Sequence, residues 1–300
     1  MVAAGPWAEA LAADAELAAV AWRFMGPGAY EAYVADAAYA DSARATYDNW
    51  ALKVRAYERI ERSLRDMAHW VAAEAALLLD AAPEGLTPRT LEALLRSVEL
   101  ASRGRGGLIL AYLQYLRLVE AEPGRGRNRH YRPTAELREF MRLRMQRDLE
   151  AMAPLDPLAG EVLAAWDRPG FFDRFMAAGR AMVLCSMKFQ PPPEASLKKI
   201  MERNSGMTIL GQLLMSDDDG GPVFPQRGPV RLNILDLARR SGAPRHQVMH
   251  VVRIGRARGL LIDQPDGRIL FSPGLIAQSE YLLGIYWRSL IWRGRAALDG

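Results

Sequence analysis

The sequence predicts a mainly α-helical fold with small β-hairpins, built from two copies of one order of elements. The first support is an internal repeat, a feature that sets an architecture before any single helix does. PGAYEAYVADAA (27–38) resembles PGFFDRFMAAGR (169–180) at a displacement of 142 residues. The same displacement carries Leu95 onto Leu237, Ala101 onto Ala243, Arg103 onto Arg245, Leu118 onto Leu260 and Pro123 onto Pro265. YRPT (131–134) matches FSPG (271–274) at 140, so the first copy's loop reads as two residues longer. Long stretches with mixed apolar spacing and few breakers supply the helices. Short apolar runs around turn sequences such as Pro265-Asp266-Gly267 supply the hairpins.

Each copy opens with a helical prefix, at 8–60 and 161–187. A long helix follows over 58–79, with a shorter counterpart over 196–215. DAAPEG (80–85) and DDDGGPVFPQRGP (217–229) are loops. Two shorter helices and a hairpin come next, and a closing helix ends each copy, at 135–152 and 275–298. The hairpins fall at about 119–133 and 260–273. PLDPLAG (154–160), marked by proline and glycine, joins the copies and divides the chain into 1–153 and 154–300.

Composition narrows the function classes. Half of the 300 residues are apolar, enough for sizeable cores. No run of about eighteen uncharged apolar residues is present, so no membrane span is expected. A single cysteine, Cys185, and the lack of a signal-peptide pattern point to a cytoplasmic protein. The neighbours of Cys185, AMVLCSMKF, suggest a buried, inert thiol. The net charge of +4 hides an asymmetry. Residues 1–50 carry two arginines against seven acids, whereas 96–132 hold eight against three and 239–268 seven against two. Only four of the basic residues are lysines, so arginine is this chain's usual cation; that preference does not explain the clustering. Two concentrated basic segments suggest a polyanion partner.

In the second copy, RLNILDLARRSGAPRHQVMHVVRIGRARGLLIDQPDGRILFSP (231–273) gives a helix, a tight turn at Gly242-Ala243, a second helix from Pro244 and a hairpin. Leu235, Leu237, Val248, Val251, Val252 and Leu260 are its expected core. Arg245, His246, Gln247, His250 and Arg253 are expected to project outward. The stretch resembles a winged helix-turn-helix of the MarR type. The resemblance implies a second helix that enters the major groove of double-stranded DNA, its early residues at base edges. Arginine pairs bidentately with guanine and glutamine with adenine. Arg268 stands where the wing would meet the minor groove or backbone, while Arg256 and Arg258 fit phosphates or solvent.

The first copy keeps this order over 87–134 but changes the chemistry. Gly104, Gly107, Leu108 and Ala111 match His246, Met249, His250 and Arg253. Three glycines weaken the first turn of its second helix by about 1 kcal/mol each. Arg103 and Arg105 remain as DNA contacts in that helix. The basic loop EPGRGRNRHYRPT (122–134) reads as a wing whose Arg125, Arg127, Arg129 and Arg132 would grip phosphates or a narrow minor groove. The expected division of labour is a second module that reads bases and a first that anchors by its wing. The alternative is a winged-helix protein-interaction module without specific DNA binding.

MarR-type regulators commonly act as homodimers. Two fused modules therefore imply a pseudo-twofold, dimer-like arrangement within one monomer, or a further homodimer of such chains. The resemblance also implies control by a small aromatic effector. Trp22, Tyr30, Trp166 and Phe172, around the repeated Pro-Gly motif, are the candidate ligand contacts; packing is the competing role for such aromatics. Enzyme signatures are absent, since the chain has no Walker loop, G-x-G-x-x-G, H-E-x-x-H or G-x-S-x-G. His246 and His250 lie four apart, but no third ligand stands near them in sequence. Neither catalysis, a cofactor nor a metal site is expected.

Overall fold

The computed structural model describes residues 31–51, 57–97, 100, 104–123, 129–186, 197–217 and 220–300. The chain is mainly helical, with two small antiparallel hairpins. Helices α1 (Glu31–Val34) and α2 (Tyr39–Ala51) precede α3 (Glu58–Ser63), α4 (Met67–Asp80), α5 (Pro88–Ser97) and α6 (Arg105–Tyr115). Hairpin β1 (Val119–Ala121) and β2 (Tyr131–Pro133) leads into α7 (Ala135–Met152), α8 (Pro157–Ala165) and α9 (Phe171–Ser186). Short α10 (Leu197–Met201) and α11 (Gly206–Leu214) come before α12 (Ile234–Ser241) and α13 (Arg245–Ala257). Hairpin β3 (Leu261–Asp263) and β4 (Ile269–Phe271) feeds the long closing helix α14 (Pro273–Asp299).

The two copies match in local detail. Val119 pairs with Pro133 as Leu261 pairs with Phe271. An isolated bridge ties Leu86 to Tyr131, and another ties Val230 to Ile269. Thr134 and Ser272 cap the closing helices, their side chains accepting from the amides of Leu137 and Leu275. These pairings correct the expected register of the second strand. Tyr131 corresponds to Ile269, a displacement of 138, so the first hairpin loop is four residues longer than the second, not two.

Both long helices expected over 58–79 and 196–215 are broken. Asp66 ends the first by capping α4, its carboxylate accepting 2.9 Å from the His69 amide. In the second, Ser205 takes a positive φ of 59° before α11. A Cβ on Gly206 would lie 1.8 Å from the carbonyl oxygen of Ile200, so no larger residue fits there. The Asn204-Ser205-Gly206 turn sequence is the signal that periodicity hides.

One hydrophobic core runs from Tyr33 to Ala297, through both copies. Helix α14 is its axis and packs on α7, α8 and α9. Trp287 is fully buried, donates 3.1 Å to the Thr46 hydroxyl of α2, and meets the rings of Tyr33 and Tyr39 edge-on. Arg293, 2% exposed, pairs at 2.5 Å with Glu74 of α4. Asp148 of α7 accepts from Tyr286, from Trp50 at 3.4 Å and from Asn49 at 3.5 Å. Burial pushes its carboxyl up, against the pull of Arg144 and these hydrogen bonds.

Two outcomes follow from these buried charges. Glu74→Ala strands the Arg293 guanidinium and should cost about 3–5 kcal/mol in urea unfolding; the double variant with Arg293→Met should recover most of it. An unaltered midpoint for Glu74→Ala would show that the pair carries no weight. Asp148 holds its proton to higher pH in the folded than in the unfolded chain. Its contribution therefore falls as pH rises from the ordinary carboxylate value of about 3.9 through the raised folded value. Asp148→Asn should remove that part of the slope of unfolding free energy against pH, measured from pH 4 upward.

Candidate nucleic-acid interface

The second copy assembles the expected helix pair on a small core. Asn233 caps α12, its side chain accepting 3.1 Å from the amides of both Leu235 and Asp236. Gly242, at a positive φ of 63°, turns the chain toward α13. Pro244 sits just before α13, where its missing N–H has no helical partner to lose. Leu237, Val248, Val251, Val252 and Leu260 are buried as expected. Leu235 is not; it is 67% exposed. The inward stripe of α12 runs through Ile234, Leu237, Ala238 and Ser241, at helical spacing, and Leu235 lies off it.

The outward face of α13 carries Arg245, His246, Met249 and Arg253, all exposed, with His250 half-buried at its edge. Among the described residues, Arg245 and Arg253 make no ion pair. Four other arginines around this helix pair are paired: Arg239 and Arg240 with Asp236, Arg256 with Asp263 at 2.7 Å, and Arg268 with Asp266 at 2.6 Å on the hairpin tip. The Asp266 carboxyl is held low by hydrogen bonds from the Arg268 backbone and side chain. Exposed pairs of this kind are worth little and leave the guanidinium able to change partner. Gln247 departs from expectation. It is half-buried, and its Oε1 is buried without a partner, turned away from the outward face.

In the first copy, α6 buries Gly106, Ile109, Leu110 and Leu113, each 142 residues before Val248, Val251, Val252 and Gly255. The outward positions are Arg105, Leu108, Ala111 and Tyr115; Leu108 is 72% and Tyr115 82% exposed. The helix starts at Arg105, two residues later than the repeat predicts, as a glycine-weakened first turn requires. Gly106 has a further role, because a Cβ there would lie 2.6 Å from Glu92 Cα on α5. Arg129 and Arg132 are exposed at the base of the hairpin, and Arg132 pairs with Glu122. Arg103, Arg125 and Arg127 lie outside the described residues.

The ligand candidates fare differently. Trp22 and Tyr30 lie outside the described residues. Trp166 and Phe172 are 2% and 7% exposed, within an edge-to-face cluster that includes Phe171 and Phe175. Their ring faces are engaged in packing. What they border is an open recess of about 470 Å³ shared with Arg138, Arg142 and Asp167, whose charges are already paired. Among the described residues, no group of three or more His, Cys, Asp or Glu could hold a metal ion, and no helix is long and apolar enough to cross a membrane.

No protein-family model matches this chain, and neither a curated protein nor a solved structure shows significant similarity to it.

Among the described residues, Arg245 and Arg253 of α13 are exposed and make no ion pair. Arg245→Ala and Arg253→Ala should therefore each leave the unfolding free energy within about 0.5 kcal/mol of wild type. Leu237→Ala, in the core beneath them, should cost about 2–5 kcal/mol. A large loss from either arginine variant would mean that these side chains are structural.

Proposed function

We propose that this chain is a sequence-specific, double-stranded DNA-binding regulator of the MarR-like kind, with two winged helix-turn-helix modules in one chain. The observation that carries the proposal is the outward face of α13. It presents Arg245, His246, His250 and Arg253 on a helix set by a tight turn against its neighbour, and among the described residues these two arginines have no carboxylate partner. Such a face can offer bidentate donors to base edges in a major groove. The hairpin that follows adds Arg268 at its tip. The first module lends charge rather than base readout, because its equivalent helix shows leucine, alanine and tyrosine. Its wing, with Arg129 and Arg132 at the base and Arg125 and Arg127 in the loop sequence, would anchor to phosphate. The unequal modules call for an imperfect palindrome with unlike half-sites.

The exposed Leu108 and Tyr115 favour a second reading for the first module alone, as a surface for protein rather than DNA.

Binding to a duplex from the chain's own upstream region, against a scrambled duplex over a salt series, tests the proposal. Wild type should prefer its own region, and the logarithm of affinity should fall linearly with that of salt. Arg245→Ala/His250→Ala should abolish the preference, at about 1–3 kcal/mol per lost base contact. Arg125→Ala/Arg127→Ala should weaken both duplexes alike and flatten the salt slope. Affinity without salt dependence on any duplex, including those selected from a random pool, would refute the reading. A strictly symmetric selected consensus would refute the unequal modules.

A further inference from the structure

The breaks between α3 and α4 and between α10 and α11 both border one cavity of about 350 Å³. Trp50, Trp70, Tyr286, Met67 and Met207 give it apolar walls from four parts of the chain. Its volume suits a small organic molecule, and apolar walls with few polar groups are the usual makeup of such sites. The charges in the wall decide which molecule. Each carboxylate there is already engaged: Glu58 with Arg62, Glu61 with Arg144 at 4.0 Å and Glu74 with Arg293 at 2.5 Å, while Asp66 is hydrogen-bonded to the amide of His69 at 2.9 Å and to its ring at 2.6 Å. Arg65 also lines the cavity, and among the described residues it has no ion pair.

We propose that this cavity binds a small amphipathic monoanion, an apolar body with one carboxylate, whose head pairs with Arg65 and whose body lies between Trp50, Trp70 and Tyr286. An arginine–carboxylate contact in a largely apolar wall is charge-assisted and directional. A cationic head would have to displace an arginine from Glu58, Glu61 or Glu74, or His69 from Asp66.

The position of Arg65 also links the cavity to α13. Its backbone carbonyl accepts 2.9 Å from the amide of Ser205, the residue that starts α11. Met207 and Thr208 of α11 stand in the cavity wall, and α11 packs on both α12 and α13. Gln212 of α11 accepts 3.1 Å from Arg240 of α12, and Ser241 at the end of α12 reaches the same wall. A ligand held by Arg65 therefore acts on the support of the helix proposed to read DNA. This coupling rests on the DNA-binding reading; the binding site itself does not.

Calorimetry without DNA tests the site, using 2-naphthoate, 2-naphthalenemethanol and 2-naphthylmethylammonium as probes with one body and three heads. Naphthoate should bind about tenfold or more tightly than either other probe. Arg65→Met should reduce naphthoate to the affinity of the alcohol. Thr208→Trp, which fills the cavity, should abolish binding of all three, with circular dichroism and melting temperature confirming that both variants fold. The site is overturned if the ammonium probe binds best, if the alcohol matches naphthoate, if no probe binds, or if Arg65→Met keeps the preference. Saturating naphthoate should then change duplex affinity about threefold or more in wild type and not in Arg65→Met. Unchanged duplex affinity overturns the coupling. A chain that binds no duplex, with or without probe, removes the coupling together with the DNA reading, while calorimetry still decides the site.

Discussion

The structure depends on α14 lying inside the protein rather than on it. A 27-residue helix that buries Trp287 and Arg293 needs walls on every side. The chain supplies them from both copies: α2 and α4 from the first, α8 and α9 from the second. Arg293 sharpens the requirement. Its Nη2 meets Glu74 at 2.5 Å, yet its Nε and Nη1 are buried without hydrogen-bond partners. A half-satisfied buried cation is costly, and Glu74 keeps that cost bearable. Phe175 of α9, in the same copy as Arg293, offers its ring face to the guanidinium at 5.9 Å. The two copies therefore share one core, with buried contacts on both sides of the stretch at 154–160.

That shared core explains how two copies of one plan diverged on their surfaces. The buried stripes of α6 and α13 coincide at a displacement of 142, position for position. Packing keeps those positions buried in both copies although their volumes differ, Gly106 against Val248 and Leu113 against Gly255. The outward positions carry no such constraint, and the copies part there: leucine and alanine on α6 stand where histidine and arginine stand on α13. On the buried face the copies exchange one apolar residue for another, whereas on the outward face they exchange apolar for basic, which is what a change of partner would leave.

Much of the architecture was legible in the sequence, for physical reasons that differ by element. The hairpins and closing helices were readable because turn residues and caps are local. The core of the second helix pair was readable because its stripe is regular, and Leu235 was misplaced because it is an apolar residue just off that stripe. The two broken long helices were not legible. A single capping aspartate and a Ser-Gly turn interrupt a periodicity that otherwise continues, and a sliding pattern averages over them. The cavity was hidden for the same reason, since both breaks border it. Trp166 and Phe172 drew attention as aromatics beside a repeated motif, yet their rings are engaged with one another. Trp50, Trp70 and Arg65 are scattered in sequence and meet only through packing that no local pattern encodes.

Arginine count alone was a weak guide in a chain with four lysines and 35 other basic residues, all arginine. Pairing separates them better. On α12, at the end of α13 and at the hairpin tip, arginines sit on aspartates two to seven residues away, an arrangement that neutralises charge locally. On the outward face of α13, two arginines and two histidines stand with no acid on the same helix. Concentrated like charge raises self-repulsion and gives the fold nothing in return. A polyanion reverses that balance, because each unpaired guanidinium that meets a phosphate or a guanine edge releases counterions and loses its neighbours' repulsion together. The same argument applies within the cavity, where Arg65, without an ion pair among the described residues, stands among carboxylates that are already engaged. In both places the fold leaves a positive charge without an internal use, and an anion from outside is the group that would complete it.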